Sequence, residues 1–344
     1  MHVLVTGATG FIAGHCISEL LYHGHAVRGT VRNTATADIA HLAHLARMAG
    51  ERGGTFEVVQ ASLDSDDGWD AAMLGCDVVW HVASPLPVAQ PDDKTELIRP
   101  AVEGTLRVLR AADRSSTVRR VVMTSSLDAV TVGHPRDDRR EHTEADWTVL
   151  DGAPAYAKSK TLAERAAWDF VQDTDLELVT INPGLVLGPV QRGAANASLE
   201  TVRMLLAHEL PLVPRLGFAI ADVRDVALAH RLATETPAAA GQRYIVAGEH
   251  RWMGEIAAEL AGVFAGRGYR VPTRRMPYPL MWLVARFDPT VRRVLPDHGV
   301  PALVSTTKAR TELGWVHRPA RDSVLDAAQS LIDFGIVPRS PADR

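Results

Sequence analysis

Short apolar runs alternate with longer stretches whose apolar residues recur three and four apart. Val3, Leu4 and Val5 make a short run, and the positions from Ile12 to Leu21 follow with helical spacing. The alternation continues through a strand at 26–32 (AVRGTVR), a helix over 36–50 and a strand at 55–61 (TFEVVQA). A short helix around 69–74, a strand at 77–84 (DVVWHVAS), a helix over 99–115 and a strand at 118–126 (VRRVVMTSS) come next. The last pair is a long helix over 155–173 and a strand at 176–184 (LELVTINPG).

Apolar strands separated by helices predict an α/β fold: a Rossmann-type, doubly wound parallel sheet covered on both faces. Ligands of such sheets bind beyond the carboxyl ends of the strands, where the turn at Gly7–Gly10, Ala83–Pro85, Ser125–Leu127 and Asn182–Gly184 all fall. After Gly184 the rhythm breaks into pieces punctuated by proline and glycine, with helices near 198–208 and 223–233, a strand RYIVAG at 243–248 and helices from Met253 onward. The expected division is a dinucleotide-binding part at 1–184, rejoined by about 221–250, and a smaller irregular C-terminal substrate part at 185–220 and 251–338. The final stretch, RSPADR, reads as a frayed end.

With 344 residues and 46% apolar content the chain can bury a large core. A formal charge of −4 and the lack of a dense Lys/Arg cluster argue against nucleic acid or an anionic membrane as the main partner. Two cysteines, Cys16 and Cys76, do not suggest a disulfide framework, and with no leader-like segment before the first strand the expected location is cytoplasmic. YPLMWLVARF, from Tyr278, is about half the length of a membrane span and reads as a buried or pocket-lining helix. These features leave a small molecule as the expected partner of a monomer or homodimer.

VTGATGFIAGH, at 5–15, reads as strand end, tight turn and helix start, an arrangement that aims free N–H groups and the positive helix end at a diphosphate. Gly7 permits the turn, Gly10 allows close approach, and Ala13 is small enough for the helix to pack on the strand. The second strand ends in Val31 and Arg32 where an NAD enzyme would carry an acid. A guanidinium there can grip a 2′-phosphate bidentately, so NADP(H) is the expected cofactor, with Arg28 adding to the field.

The stretch AYAKSKTLAER sets Tyr156 and Lys160 four apart on one helix face. Five tyrosines and only four lysines in the chain would give roughly 0.06 such pairs by chance. Hydride reduction of a carbonyl needs a proton donor at the oxygen. Bringing a phenol with a pKa of about 10 down by about three units takes about 4 kcal/mol. An ammonium at about 4 Å supplies about that much at a dielectric near 20. Ser125 and Ser126, at the end of the fifth strand, offer a second donor, Ser126 being the better placed.

TGATGFIA, YAKSK and the TSS strand together resemble the extended short-chain dehydrogenase/reductases. Within them the chain is most similar to the dihydroflavonol reductase, cinnamoyl-CoA reductase and yeast-type aldehyde reductase group, along nearly its whole length, as in VRGTVRN, CDVVWHVASP, PAVEGTLRVLRAA, INPGLVLGP and DVRDVALAH. The resemblance implies an NADP-dependent carbonyl reductase with the catalytic triad Ser126, Tyr156 and Lys160. It implies a cofactor site drawn from Thr6, Gly7, Thr9, Gly10, Phe11, Ile12, Arg32, Ser62, Leu63, Val82, Ala83, Ser84, Thr124, Ser125, Tyr156, Lys160, Pro183, Gly184 and Val186.

Two positions depart from that group. Ala61-Ser62-Leu63 stands where its members carry an adenine-binding Asp, and Thr131 where plant flavonoid reductases place Asn or Asp, which disfavours a flavonoid substrate. The alternatives are a hydroxysteroid dehydrogenase, a nucleotide-sugar epimerase or dehydratase, and a dinucleotide sensor with no need of Tyr156 and Lys160. His41 and His44 lack a third ligand at zinc spacing, so no metal is expected. Asp64, Asp66 and Asp67 read as a helix cap before Trp69.

Overall fold

The computed structural model describes residues 1–50, 53–85, 95–135, 140–193 and 197–338; the expected frayed end at 339–344 lies outside them. The first half runs β1 (His2–Val5), α1 (Phe11–Tyr22), β2 (Ala26–Val31), α2 (Ala40–Ala49), β3 (Thr55–Gln60), α3 (Trp69–Met73), β4 (Val78–His81), α4 (Thr95–Arg114), β5 (Arg120–Thr124), α5 (Ala155–Val171) and β6 (Glu177–Pro183). The second half runs β7 (Leu185–Leu187), α6 (Glu200–Leu206), β8 (Gly217–Asp222), α7 (Val223–Glu235), β9 (Gln242–Val246), β10 (His250–Trp252), α8 (Met253–Phe264), α9 (Tyr278–Val284), α10 (Pro289–Val294), α11 (Thr307–Glu312) and α12 (Ala320–Asp333).

Seven strands form one parallel sheet in the order β3-β2-β1-β4-β5-β6-β9. β1 pairs with β2 on one side and β4 on the other, so the strand order reverses across it and opens a crevice at its carboxyl end. Side chains alternate across the sheet: Val3 and Val5 join a core with Ile17, Leu20, Leu42 and Val226, while Leu4 joins Trp69, Leu109 and Ala163 on the other face. Both faces are covered by helices, as the unbroken apolar strands require.

A second sheet, β10-β8-β7, has no counterpart in the expectation from sequence. Its strands are three to six residues long and broken by glycine, too short for a period to stand out. Leu187 and Ile220 pack with Val202 and Leu205 of α6, Ile256 and Leu260 of α8, and Val324 and Leu331 of α12. Gly184 sits where this sheet meets the first: a Cβ there would lie 2.1 Å from the Ala219 carbonyl oxygen. Leu127, Val130, Ala219 and Ile245 form a small cluster bridging the two sheets, with Ala302 and Val304 against it.

The expectation that YPLMWLVARF is buried is corrected: α9 lies on the surface. Trp282 is 45% and Phe287 83% exposed, and only Met281 and Ala285 are buried. Its apolar density exceeds what one short helix can bury against the body. Among the described residues no helix is long and apolar enough to cross a membrane, and Cys16 and Cys76 are both free and buried.

Candidate active site

The turn after β1 is stitched to the strands on either side of it. The Gly7 N–H donates to Thr30 Oγ1 at 3.0 Å, the Ala83 N–H donates to Thr6 Oγ1 at 2.9 Å, and Thr6 Oγ1 lies 3.0 Å from His81 Nδ1. Gly7 has φ +70°, and a Cβ there would stand 2.9 Å from that of Ala83, so only glycine fits. Gly10 caps α1 with extended backbone. No side chain caps the helix and its first turn holds no acid, which leaves its N–H groups for an anion. Thr9, Phe11 and Ile12 stay partly open beside it, while Ala13 is buried against the core. Arg192, which the sequence reading missed, donates to the Thr9 carbonyl at 2.6 Å.

Arg32 directly follows β2, is exposed, and among the described residues has no side-chain hydrogen bond or ion pair. Arg28 does not join it. Its guanidinium pairs with Glu57 and donates to the carbonyls of Ala72 at 2.9 Å and Leu74 at 2.7 Å, closing the end of α3. From the third residue of β2, beside the edge strand β3, its side chain is within reach of those orphan carbonyls. The acidic run is corrected as well. α3 is capped by Gly68 with no side-chain bond, while Asp66 pairs with Arg107 and Asp67 takes the Ser65 hydroxyl. Ser62 Oγ accepts from the Asp64 N–H at 3.3 Å, and the Leu63 carbonyl accepts from Arg107.

Ser126, Tyr156 and Lys160 come together at the same rim. Ser126 follows β5 and caps a short 3₁₀ turn, its Oγ accepting from the Asp128 N–H at 3.1 Å. Pro154 precedes α5, so Tyr156 stands in the first turn and Lys160 one turn deeper, with Nζ 6.0 Å from the ring centroid. Lys160 is buried, and among the described residues its ammonium makes no hydrogen bond. Burial lowers it to about 8, against the opposing pull of Glu164 and Asp128.

Tyr156 is not pulled down by Lys160 as expected. Burial disfavours the phenolate and the Asp128 carboxylate repels it, so the hydroxyl is carried well above its usual range, with a hydrogen bond from Ser126 working the other way. A phenol so placed keeps its proton through neutral pH, the form that can donate.

Several expected cofactor residues turn their polar groups inward. Thr6 is tied to His81 and Ala83, Thr124 Oγ1 lies 2.7 Å from His230 Nε2, and Ser125 donates to Glu164. Val82, Ala83, Ser84 and Gly184 remain partly open at the strand ends, whereas Pro183 and Val186 are buried. Thr131 donates to the Leu127 carbonyl at 3.3 Å.

Sequence reasoning also missed Glu164 and Asp128, and placed Asn182 at the rim without its tie to Glu164. Glu164 lies four residues beyond Lys160 on the buried face of α5, a spacing that could have signalled it. Asp128 belongs to the turn that Ser126 caps and is raised by burial to about 6. A surface depression of about 370 Å³ lined by Thr307, Arg310 and Trp315 shares no residue with this rim.

A dinucleotide fits this arrangement: an uncapped helix start behind a glycine that admits no side chain, and, among the described residues, an unpaired arginine after β2 and a buried ammonium with unused donors. The model of the NAD dependent epimerase/dehydratase family matches residues 3–247. The chain belongs to this family. It is 35% identical over 340 residues to cinnamoyl-CoA reductase 2 of Arabidopsis thaliana, covering 98% of this chain and 94% of that protein. It is 31% identical over 291 residues to an anthocyanidin reductase of Vitis vinifera, covering 80% and 84%.

Among solved structures, yeast methylglyoxal/isovaleraldehyde reductase Gre2 complexed with NADPH superposes with a TM-score of 0.78 at 27% identity, covering 97% of this chain and 99% of that one. Vestitone reductase from alfalfa gives 0.74 at 26% identity, covering 97% and 99%. The resemblance carried by TGATGFIA, TSS and YAKSK, and the doubly wound fold it implied, are borne out for this epimerase/dehydratase family member.

Proposed function

We propose that the chain is an NADPH-dependent oxidoreductase that reduces the carbonyl of a small aldehyde or ketone to the alcohol. The observation that carries this reading is the free, buried Lys160 ammonium beside a protonated Tyr156 and Ser126, on the rim that also holds the glycine turn. Its relatives are named as reductases, and Gre2 is described with NADPH.

NADPH, bound across the rim, supplies the hydride. Gly7, Gly10 and the start of α1 would hold its diphosphate, Arg32 its 2′-phosphate and Lys160 its nicotinamide ribose. Ser126 would donate a hydrogen bond to the carbonyl oxygen, and Tyr156 would pass its proton to that oxygen as the carbon is reduced. Residues 1–184 with about 221–250 are read as the cofactor part, and 185–220 with 251–338 as the substrate part. The chain would act as a monomer or homodimer in the cytoplasm, where buried free thiols persist.

A panel of aldehydes and ketones tests this, with NADPH oxidation and alcohol formation as readouts. Stoichiometric alcohol with at least one class supports the reading. Absence of turnover with every class, together with a retained NAD and conversion of a nucleotide sugar, overturns it.

A further inference from the structure

The side chain that ties the site together is one the mechanism above does not use. Glu164 is fully buried and receives five donors. Oε1 accepts from Arg243 Nε at 2.7 Å, Thr180 Oγ1 at 3.0 Å and Trp168 Nε1 at 3.4 Å, and Oε2 from Asn182 Nδ2 at 2.8 Å and from the Ser125 hydroxyl. These donors belong to α5, β6, β9 and the residue that follows β5, so one carboxylate gathers the element that carries Tyr156 and Lys160 and the strands behind Ser126.

The network runs to the reacting groups in two directions. Asn182 Nδ2 also donates to the Ser126 carbonyl at 3.2 Å, and its Oδ1 accepts from Thr180 Oγ1 at 3.2 Å. In the other direction, Lys160 is one helical turn before Glu164 on the same buried face. Arg243 does more than neutralise the acid: it donates to the carbonyls of Glu144 at 2.6 Å and Asp146 at 2.9 Å and stacks 3.7 Å from the Trp147 ring, which pins the 144–147 loop to the sheet.

We propose that Glu164 is a positioning residue of the site: it holds the Lys160 ammonium in its charged form and, through Asn182, fixes the backbone of Ser126. This rests on the carbonyl-reductase reading for its catalytic consequence, but not for the charge state itself. The groups facing Lys160 are Tyr156 and Glu164 on α5, Asp128 on the turn after β5, and His81 on β4, whose imidazole burial holds neutral. Glu164 heads the influences that oppose the burial of Lys160, with Asp128 after it. A lone buried ammonium would otherwise lose its proton.

The composition makes a direct test practical, because only Lys94, Lys158, Lys160 and Lys308 are lysine. With ¹³C-lysine labelling of the full chain without added cofactor, the Cε signals are followed against pH, Lys160 being assigned with Lys160→Arg. The Lys160 midpoint, near 8 in the unmodified protein, is expected to fall by roughly one unit or more in Glu164→Gln and to return most of the way in Glu164→Asp. The alkaline limb of the kcat profile with NADPH should move by the same amount.

Glu164→Gln orphans the Arg243 charge and threatens folding, so Glu164→Gln/Arg243→Met, which removes both, is measured in parallel and should show the same shift. A folded variant whose Lys160 midpoint matches the unmodified protein overturns the proposal. So does a midpoint below roughly 7 in the unmodified protein itself. A shifted midpoint in a chain that reduces no carbonyl leaves this inference standing and sinks only the reaction assigned to the site.

Discussion

The rim of the seven-stranded sheet buries polar side chains, whereas the surface of the C-terminal helices exposes apolar ones. At the rim, Thr6, Thr124, Ser125, Asn182 and Glu164 are all buried, and each is hydrogen-bonded to a side chain on another element. On α9, Tyr278, Leu280, Trp282 and Leu283 stand in solvent, with Arg286 stacked 4.3 Å from the Trp282 ring. A side chain at the end of a buried strand inherits its position from the register of its neighbours, whereas one on a short surface helix is placed by little beyond its own turn. The first region can therefore hold reacting groups to a fraction of an ångström, and its substitutions should be costly in function; the second should tolerate change.

The sharpest way to break this contrast is at the reacting group. Tyr156→Phe removes one hydroxyl and should lower kcat by about 10²- to 10⁴-fold while leaving NADPH affinity within a few fold. Steady-state kinetics with an active carbonyl substrate check it, and near-normal turnover would take Tyr156 out of the mechanism.

Acidification tests how far the rim depends on buried neutral groups. Burial lowers His15 to about 4, His81 to about 3 and His230 to about 4. These histidines bind protons more readily when unfolded, so their contribution to stability is complete above about 6.5 and is lost as pH falls through the window down to about 4 for His15 and His230 and about 3 for His81. Each is worth up to about 1.4 kcal/mol per pH unit. Asp128, raised to about 6, works in the opposite sense, one group against three. Denaturant midpoints should drop between pH 6.5 and 5 by more than surface titration alone would give; a flat profile would mean the three imidazoles are already protonated in the fold.

Arg32 stands at the open edge of the rim, where charge acts without burial. Arg32→Ala should weaken NADPH by about ten- to a hundredfold, the equivalent of about 1.5 to 3 kcal/mol, and leave NADH little changed. Fluorescence titration with both cofactors decides it. Equal losses for the two would mean that Arg32 serves the fold rather than the phosphate.

The smallest effect is expected on the other side of the comparison. Phe287→Ser, at a position 83% exposed, should change stability by no more than about 0.5 kcal/mol. A thermal melt that falls by many degrees would show that this surface is packed against something in solution and that the contrast is misdrawn.

Much of the first half was legible because its signals are local. The run Val3–Val5, the glycines at 7 and 10 and the helical spacing after them each depend on neighbours in sequence, and they define β1, the turn and α1 as found. The four-residue step from Tyr156 to Lys160 needs only a helix to become a shared face. The second sheet escaped notice because Leu185–Leu187 and His250–Trp252 are three residues each, strands that exist only because β8 pairs with both. YPLMWLVARF misled for the converse reason: apolar content says that a helix could be buried, not that a surface is available to bury it.

The sequence by itself determined which groups could do chemistry here and which strand ends would bring them to one rim, since the alternation of strands and helices and the helix period follow from the chain's own pattern. Only the tertiary structure decided their state. That Tyr156 is carried up rather than down, that Lys160 titrates near 8, that Arg28 closes α3 while Arg32 stays free, and that Glu164 joins α5 to β6, β9 and the residue after β5 all depend on what lies across space. Desolvation and Coulomb interaction act over distances between atoms, and residues such as Asp128 and Tyr156, or Glu164 and Arg243, become neighbours only when the sheet is assembled.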